Sequence, residues 1–273
     1  MNRQRHAAGR DTVLITGASK GIGRAFAQRF AREGYPLVLV ARQQDVLEEL
    51  ASNLRAGFGV SVEVLPLDLT APDSISRLLQ TLAERQLDID ILVNNAGALE
   101  VGRFTDIAAE KHGQLIALNV GSPTQLASAL LPAMLRRKRG HILNVASIAA
   151  FEPVPSIAVY AATKAYVLSF TEALSEELRG TGVSVSALCP GLTSTPMVRG
   201  AQAGSQRLRH IPELVIGQAD DVAQAGFRSC FSGRVVSIPG LLNKLTAAFV
   251  GIAPRAVVRR ISGWLGRLAF DPT

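Results

Sequence analysis

The 273-residue chain is predicted to fold as α/β, a single-domain doubly wound parallel sheet of about seven strands with helices on both faces. Three observations carry that expectation. Short apolar, β-branched runs alternate with longer segments of helical period. Most of the runs are continuously apolar, as strands covered on both faces are. A glycine-rich loop lies directly between the first run and the first helical segment.

The first strand is Thr12–Thr16, and the glycine loop after it opens a helix over Gly23–Glu33. Leu37–Ala41 is the second strand, with a helix over Gln43–Ala56. Val62–Leu67 precedes a helix over Pro72–Arg85, and Ile89–Val93 precedes one over Pro123–Arg137. His141–Ala146 and Val183–Leu188 are the fifth and sixth strands, and Arg234–Pro239 reads as one more. Parallel neighbours joined by helices require right-handed crossovers. Neither a composition break nor a solenoid repeat marks a second globular unit. The expected organisation is a frayed tail over 1–10, a catalytic domain over 11–240 with a substrate lid near 192–218, and a helical extension over 241–273.

Composition narrows the function. Hydrophobic residues make up 48%, which excludes general disorder. Cys189 and Cys230 are the only cysteines, too few for a disulfide framework or a metal cluster. The net charge is +7 and aromatic residues are 5%. No nucleic-acid motif accompanies the basic excess, so it is read as a solvated face with pockets for anionic cofactors. The basic start MNRQRHAAGR lacks an apolar segment, and no run reaches the length of a membrane span. A cytoplasmic protein is expected.

The loop Thr16–Gly23 reads TGASKGIG. Gly17 permits the tight turn, while Gly21 and Gly23 let backbone and helix close on a pyrophosphate. The helix N-terminus offers unpaired N–H groups and a positive dipole end. Ser19 and Ile22 complete the loop around its cation, Lys20. Where a dinucleotide fold usually places an acid for the ribose 2′-OH, this chain has Arg42 in VARQQ. Two cations, Lys20 and Arg42, suit a 2′-phosphate, so NADP(H) is expected over NAD(H). The alternative for Arg42 is a solvated surface position. Asp68, at the end of the third strand, has two readings: adenine recognition with Leu69 packed on the ring, or capping of the next helix.

YAATK places Tyr160 and Lys164 four positions apart, hence on one helical face. A cation about 4 Å away in an effective dielectric near 20 offers a phenolate about 4 kcal/mol. That would lower a tyrosine pKa by roughly three units. On this reading Lys164 tunes Tyr160 as a general acid–base. Ser147 closes the fifth strand, where it can donate to a carbonyl oxygen or cap a turn. NNAG, with Asn95, Ala96 and Gly97, lines a cofactor floor or makes a turn. Asn119 interrupts an apolar stretch and needs a partner, a water beside Lys164 or a local backbone group.

TGASKGIG, NNAG, Asn119, Ser147, YAATK and Pro190–Gly191 resemble, in order and spacing, the short-chain dehydrogenase/reductase family, over about Asp11 to Met197. The resemblance implies a Rossmann fold, a nicotinamide dinucleotide and no metal. It implies Tyr160 as proton donor, Lys164 on the nicotinamide ribose, Ser147 orienting the carbonyl and Asn119 in a proton relay. PGLTSTPM is similar to the family's loop over the nicotinamide, with Thr193 and Thr195 at the cofactor. Homodimers or homotetramers are implied. The ending is similar to bacterial 17β-hydroxysteroid and 3-ketoacyl reductases.

An NADP(H)-dependent oxidoreductase acting on a carbonyl or secondary alcohol is therefore expected. The alternative is a non-catalytic NADP(H)-binding sensor on the same fold. Ala149, Phe151, Val154, Pro155 and the loop from Met197 to Leu214 should form an apolar substrate pocket. From Pro254 onward, Val257, Val258, Ile261, Trp264, Leu265 and Leu268 fall on one helical stripe with arginines around it. Packing of that stripe on the core or across a dimer is preferred to peripheral membrane contact.

Overall fold

Parallel strands with no polar face can be stable only inside helical layers, and that is how they lie. In the computed structural model, residues 11–203 and 216–270 are described. The sheet contains β1 (Val13–Thr16), β2 (Leu37–Ala41), β3 (Val62–Pro66), β4 (Ile91–Asn94), β5 (Gly140–Val145), β6 (Val183–Leu188) and β7 (Val236–Ser237). Its order is β3-β2-β1-β4-β5-β6-β7, and every pairing is parallel. The chain first winds outward from β1 to β3, then returns to β4 on the other side of β1. That reversal opens a crevice at the carboxyl ends of β1 and β4.

The helices are α1 (Gly21–Arg32), α2 (Gln44–Phe58), α3 (Ser74–Glu84), α4 (Ala109–Ile116), α5 (Ser122–Arg137), α6 (Ala158–Glu177), α7 (Pro196–Ala203), α8 (Ala219–Phe231), α9 (Leu241–Ile252) and α10 (Arg255–Phe270). Two apolar clusters clothe the sheet. One joins Ile15 and Val93 to Phe26 and Phe30 of α1, Leu47 of α2 and Val222 of α8. The other joins Leu14 and Val40 to Leu78 of α3 and Leu126 of α5.

The expected strands are present with small shifts at their ends. β4 begins at Ile91 rather than Ile89, because the Ile89 carbonyl accepts from Arg137 at 2.8 Å instead of joining the ladder. The last strand shrinks to Val236–Ser237. Residues 204–215 of the expected lid lie outside the described residues, as does the tail 1–10. The lid's first part is helix α7 rather than loop. No helix among the described residues is long and apolar enough to cross a membrane.

Candidate active site

The glycine loop closes against the loop after β4 because its glycines put no Cβ between the two backbones. Gly17 and Gly21 have φ of +65° and +58°, left-handed values that a side chain resists. A Cβ on Gly23 would lie 2.2 Å from the Gly17 carbonyl oxygen and 2.5 Å from Asn95 Nδ2. Thr16 ties this loop to the one after β4: its Oγ1 donates to the Val93 carbonyl at 3.3 Å and accepts from the N–H groups of Asn95 and Ala96, each at 3.0 Å. Asn95 Nδ2 donates back to the Thr16 carbonyl at 2.9 Å. Ile22 packs on the core beneath the loop, and Ser19 is buried.

No side chain caps α1. Its leading N–H groups remain available to an anion at the glycine-lined crevice, as a dinucleotide pyrophosphate requires. Lys20 and Arg42 are both exposed, and Arg42 lies near enough to Asp68 to lower its pKa. The first cause of that lowering is the Thr70 N–H, which donates to Asp68 Oδ1 at 2.9 Å; the Thr70 hydroxyl donates to the same atom at 2.7 Å. Asp68 thus caps a turn, not the helix, which starts at Ser74. The Leu69 side chain is largely buried, in the core cluster with Leu14 and Val40. Only its backbone is left to face a ligand, and its carbonyl already accepts from Ser122 at 3.1 Å.

Tyr160 and Lys164 share one face of α6, with the ammonium 5.7 Å from the phenol ring centroid. Lys164 is buried, and its Nζ donates to the Val145 carbonyl at 2.8 Å, which anchors it to the end of β5. Burial lowers its pKa to about 8; Cys189 nearby acts in the opposite direction. The Ser147 side chain lies close enough to the Tyr160 hydroxyl to lower its pKa. Its Oγ also accepts from the Ala149 N–H at 3.2 Å, so the turn-capping role holds beside any other. The tyrosine departs from the simple charge argument. Burial pushes its pKa above the ordinary value, and Ser147 lowers it only in part. Desolvation of the phenolate sets the direction of the shift.

Asn119 sits in a π-type turn over Ala117–Gly121 between α4 and α5, a distortion common at functional sites. Its Oδ1 accepts from the Ala98 N–H at 2.9 Å; its Nδ2 donates to the Ala98 carbonyl at 3.0 Å and to Thr163 Oγ1 at 3.1 Å. Its partners are therefore the Ala98 backbone and the Thr163 hydroxyl, both distant in sequence, rather than a local backbone group. Asn119 still reaches the site, since a Cβ on Gly97 would lie 3.3 Å from its Oδ1 and 3.5 Å from Lys164 Nζ. Thr163 continues the chain by donating to the Tyr160 carbonyl at 2.7 Å.

The loop after β6 closes the other side. The Pro190 carbonyl accepts from Ile148 N–H at 2.9 Å. Thr193 is buried and bridges to Gly217. Thr195 lies over the glycine loop, where a Cβ on Gly21 would meet its methyl at 3.2 Å. Gly191 abuts Asn243 of α9.

The expected substrate residues divide. Ala149 is buried, Met197 is exposed, and Phe151 packs toward the cluster of Val167, Leu168 and Cys189. A cavity of about 70 Å³ beside Tyr160 is lined instead by Gly102, Phe104, Ile107, Leu115 and Ile157, with Glu100 and His112. Sequence reasoning missed these residues, and also Thr16 and Thr163. The threonines had a readable signal, since Thr16 opens the glycine motif and Thr163 stands between Tyr160 and Lys164. The cavity residues had none.

A short chain dehydrogenase family model matches residues 11–206. The chain belongs to the short-chain dehydrogenase family. An oxidoreductase of Staphylococcus epidermidis is 36% identical over 195 residues, covering 71% of this chain and 83% of that one. A short-chain dehydrogenase from Sphingobium yanoikuyae, solved with NADPH, is 35% identical, with a TM-score of 0.77 over 90% of this chain and 98% of that one. The bulky-bulky ketone specific alcohol dehydrogenase from Comamonas testosteroni is 32% identical, with a TM-score of 0.75 over 91% and 97%. This family member is thus an oxidoreductase by kinship, with its fold in common with a relative solved with NADPH.

Proposed function

We propose that this short-chain dehydrogenase is an NADP(H)-dependent carbonyl reductase for a hydrophobic ketone or aldehyde. The observation that carries the reading is the meeting of Tyr160, Ser147 and Lys164 at the end of β5, beside the glycine crevice. A nicotinamide dinucleotide held there supplies the hydride. Gly17, Gly21, Gly23 and the open end of α1 would hold its pyrophosphate, with Asn95, Ala96 and Gly97 as the floor. Lys20 and Arg42 would hold the 2′-phosphate, with Asp68 and the Leu69 backbone beside the adenine. Lys164 would hold the nicotinamide ribose, with Pro190, Gly191, Thr193 and Thr195 closing over it.

Tyr160 gives its proton to the carbonyl oxygen as negative charge builds there. A phenol held above its ordinary pKa by burial stays protonated at neutral pH, as a proton donor in the reductive direction must. Ser147 donates to the same oxygen and holds it in place. Lys164, at about 8, is mainly an ammonium at pH 7 and favours the phenolate left after transfer. Asn119 positions Thr163 and, through it, the backbone of Tyr160. The apolar cavity wall and the specificity of the Comamonas relative for bulky-bulky ketones support a hydrophobic substrate.

Single turnover with excess NADPH and a panel of carbonyl compounds tests the reading. Tyr160→Phe should slow reduction by at least about 100-fold while NADPH affinity changes little. Equal rates in the two proteins would remove Tyr160 from the chemistry.

A further inference from the structure

The C-terminal helices divide their residues unusually. Val258, Ser262 and Gly266 of α10 face the body of the protein: Val258 and Ser262 are buried, Ser262 donates to Glu152, and a Cβ on Gly266 would press on Pro155 at 2.8 Å. In α9, Asn243 abuts Gly191 and donates to the Pro239 carbonyl at 2.7 Å. The pair is therefore fastened to the loops that flank the candidate site.

The other faces are apolar and uncovered. Leu241, Leu245, Phe249 and Ile252 recur at helical spacing along α9 with exposures of 74%, 60%, 50% and 88%. Val257, Ile261 and Trp264 do the same along α10 and are also exposed. The stripe expected to pack on the core is thus split: Val258 is buried while Val257, Ile261 and Trp264 are exposed, and the side chains of Leu265 and Leu268 lie outside the described ones. Exposed apolar rows on two successive helices mark an interaction surface.

Charge decides the partner. From Arg234 to Phe270 the chain has six cations and no acidic residue. The exposed ones include Lys244, Arg255, Arg259 and Arg260. A second copy meeting this face about a two-fold axis would set basic patch against basic patch, which is repulsive. An anionic bilayer complements both features, taking the apolar rows into the headgroup boundary and the cations among the phosphates. We propose that α9 and α10 form a docking surface for an anionic lipid bilayer. Docking would bring Gly191, Glu152 and Pro155 to the lipid surface and let an apolar substrate enter from it; this last step alone rests on the reductase reading.

Trp264 is the only tryptophan, so its emission reports on the surface directly. The full-length protein should co-sediment with vesicles of equal parts phosphatidylcholine and phosphatidylglycerol, with a blue shift of Trp264 emission. Pure phosphatidylcholine should bind at least tenfold less, and high salt should reverse the anionic binding. R259E/R260E and L245D/I252D should each lose at least tenfold in binding. Circular dichroism and NADPH binding should be unchanged in both variants, which confirms folding. Absence of co-sedimentation with anionic vesicles at low salt, or an unshifted emission, would overturn the proposal. So would sedimentation velocity showing a dimer that L245D/I252D dissociates while wild type ignores vesicles, since a second copy would then cover the face. Vesicle binding without carbonyl turnover would uphold the docking surface and count against the reductase reading.

Discussion

Two charged groups at the residue scale behave in ways that only their surroundings explain. Lys164 is buried against a carbonyl, and its pKa falls to about 8. Arg42 stays exposed at the end of β2, near Asp68 at the end of β3. The Asp68 carboxylate is already committed to Thr70, so it offers Arg42 only part of the neutralisation that a 2′-phosphate would. Arg42→Glu is expected to raise the KM for NADPH by at least about tenfold and to leave that for NADH within a few-fold. The ratio of kcat/KM for the two cofactors checks it, and an unchanged ratio would return Arg42 to a solvated surface role.

At the scale of elements, the crevice depends on α1 keeping its angle to β1, and α8 sets that angle. Gly226 of α8 is pressed against α1: a Cβ there would lie 2.5 Å from Phe26 Cζ. Phe26 is fully buried and cannot swing into solvent. Gly226→Ala should therefore cost about 1–3 kcal/mol and lower the Tm by several degrees. Gly57 of α2 has no atom within 4 Å of the same added carbon. Gly57→Ala should leave the Tm unchanged or raise it slightly, because alanine is the better helix former. Thermal melts of the two variants should move in opposite directions; a matching fall would mean that α2, too, is packed at that point.

For the whole molecule, burying an ammonium couples stability to pH. The folded pKa of Lys164 lies below its unfolded value of 10.5. Between about pH 8 and 10.5 the unfolded chain binds the extra proton, so this group's contribution to stability rises with pH. The span corresponds to about 3 kcal/mol. Cys189 and Cys230 oppose it: burial raises both thiols to about 12, so their contribution is lost as pH climbs above 9. Comparing wild type with Lys164→Met cancels Cys230, and Cys189 apart from its coupling to Lys164. The stability difference should shift toward wild type by up to about 3 kcal/mol from pH 8 to pH 10.5, read from denaturant melts. A flat difference would mean that water reaches the ammonium.

The sequence by itself determined the sheet, the glycine loop and the shared face of Tyr160 and Lys164. These follow from short-range rules: apolar runs of strand length, a loop between strand and helix, and a spacing of four on a helix. Asn119 was legible as a polar residue in need of a partner, but that partner, Ala98, lies across the fold. Leu69 and Phe151 were ambiguous because an apolar side chain next to a motif reads equally as ligand wall or as core. Tertiary structure alone decided which way each one turned. It also decided that desolvation, not the neighbouring cation, sets the direction of the Tyr160 shift. The tail follows the same logic: its period was visible in the chain, but the choice of Val258 for the core and Trp264 for the outside was made by the loops α10 packs against. Periodicity defines a face, and only the neighbours packed around it fix what that face meets.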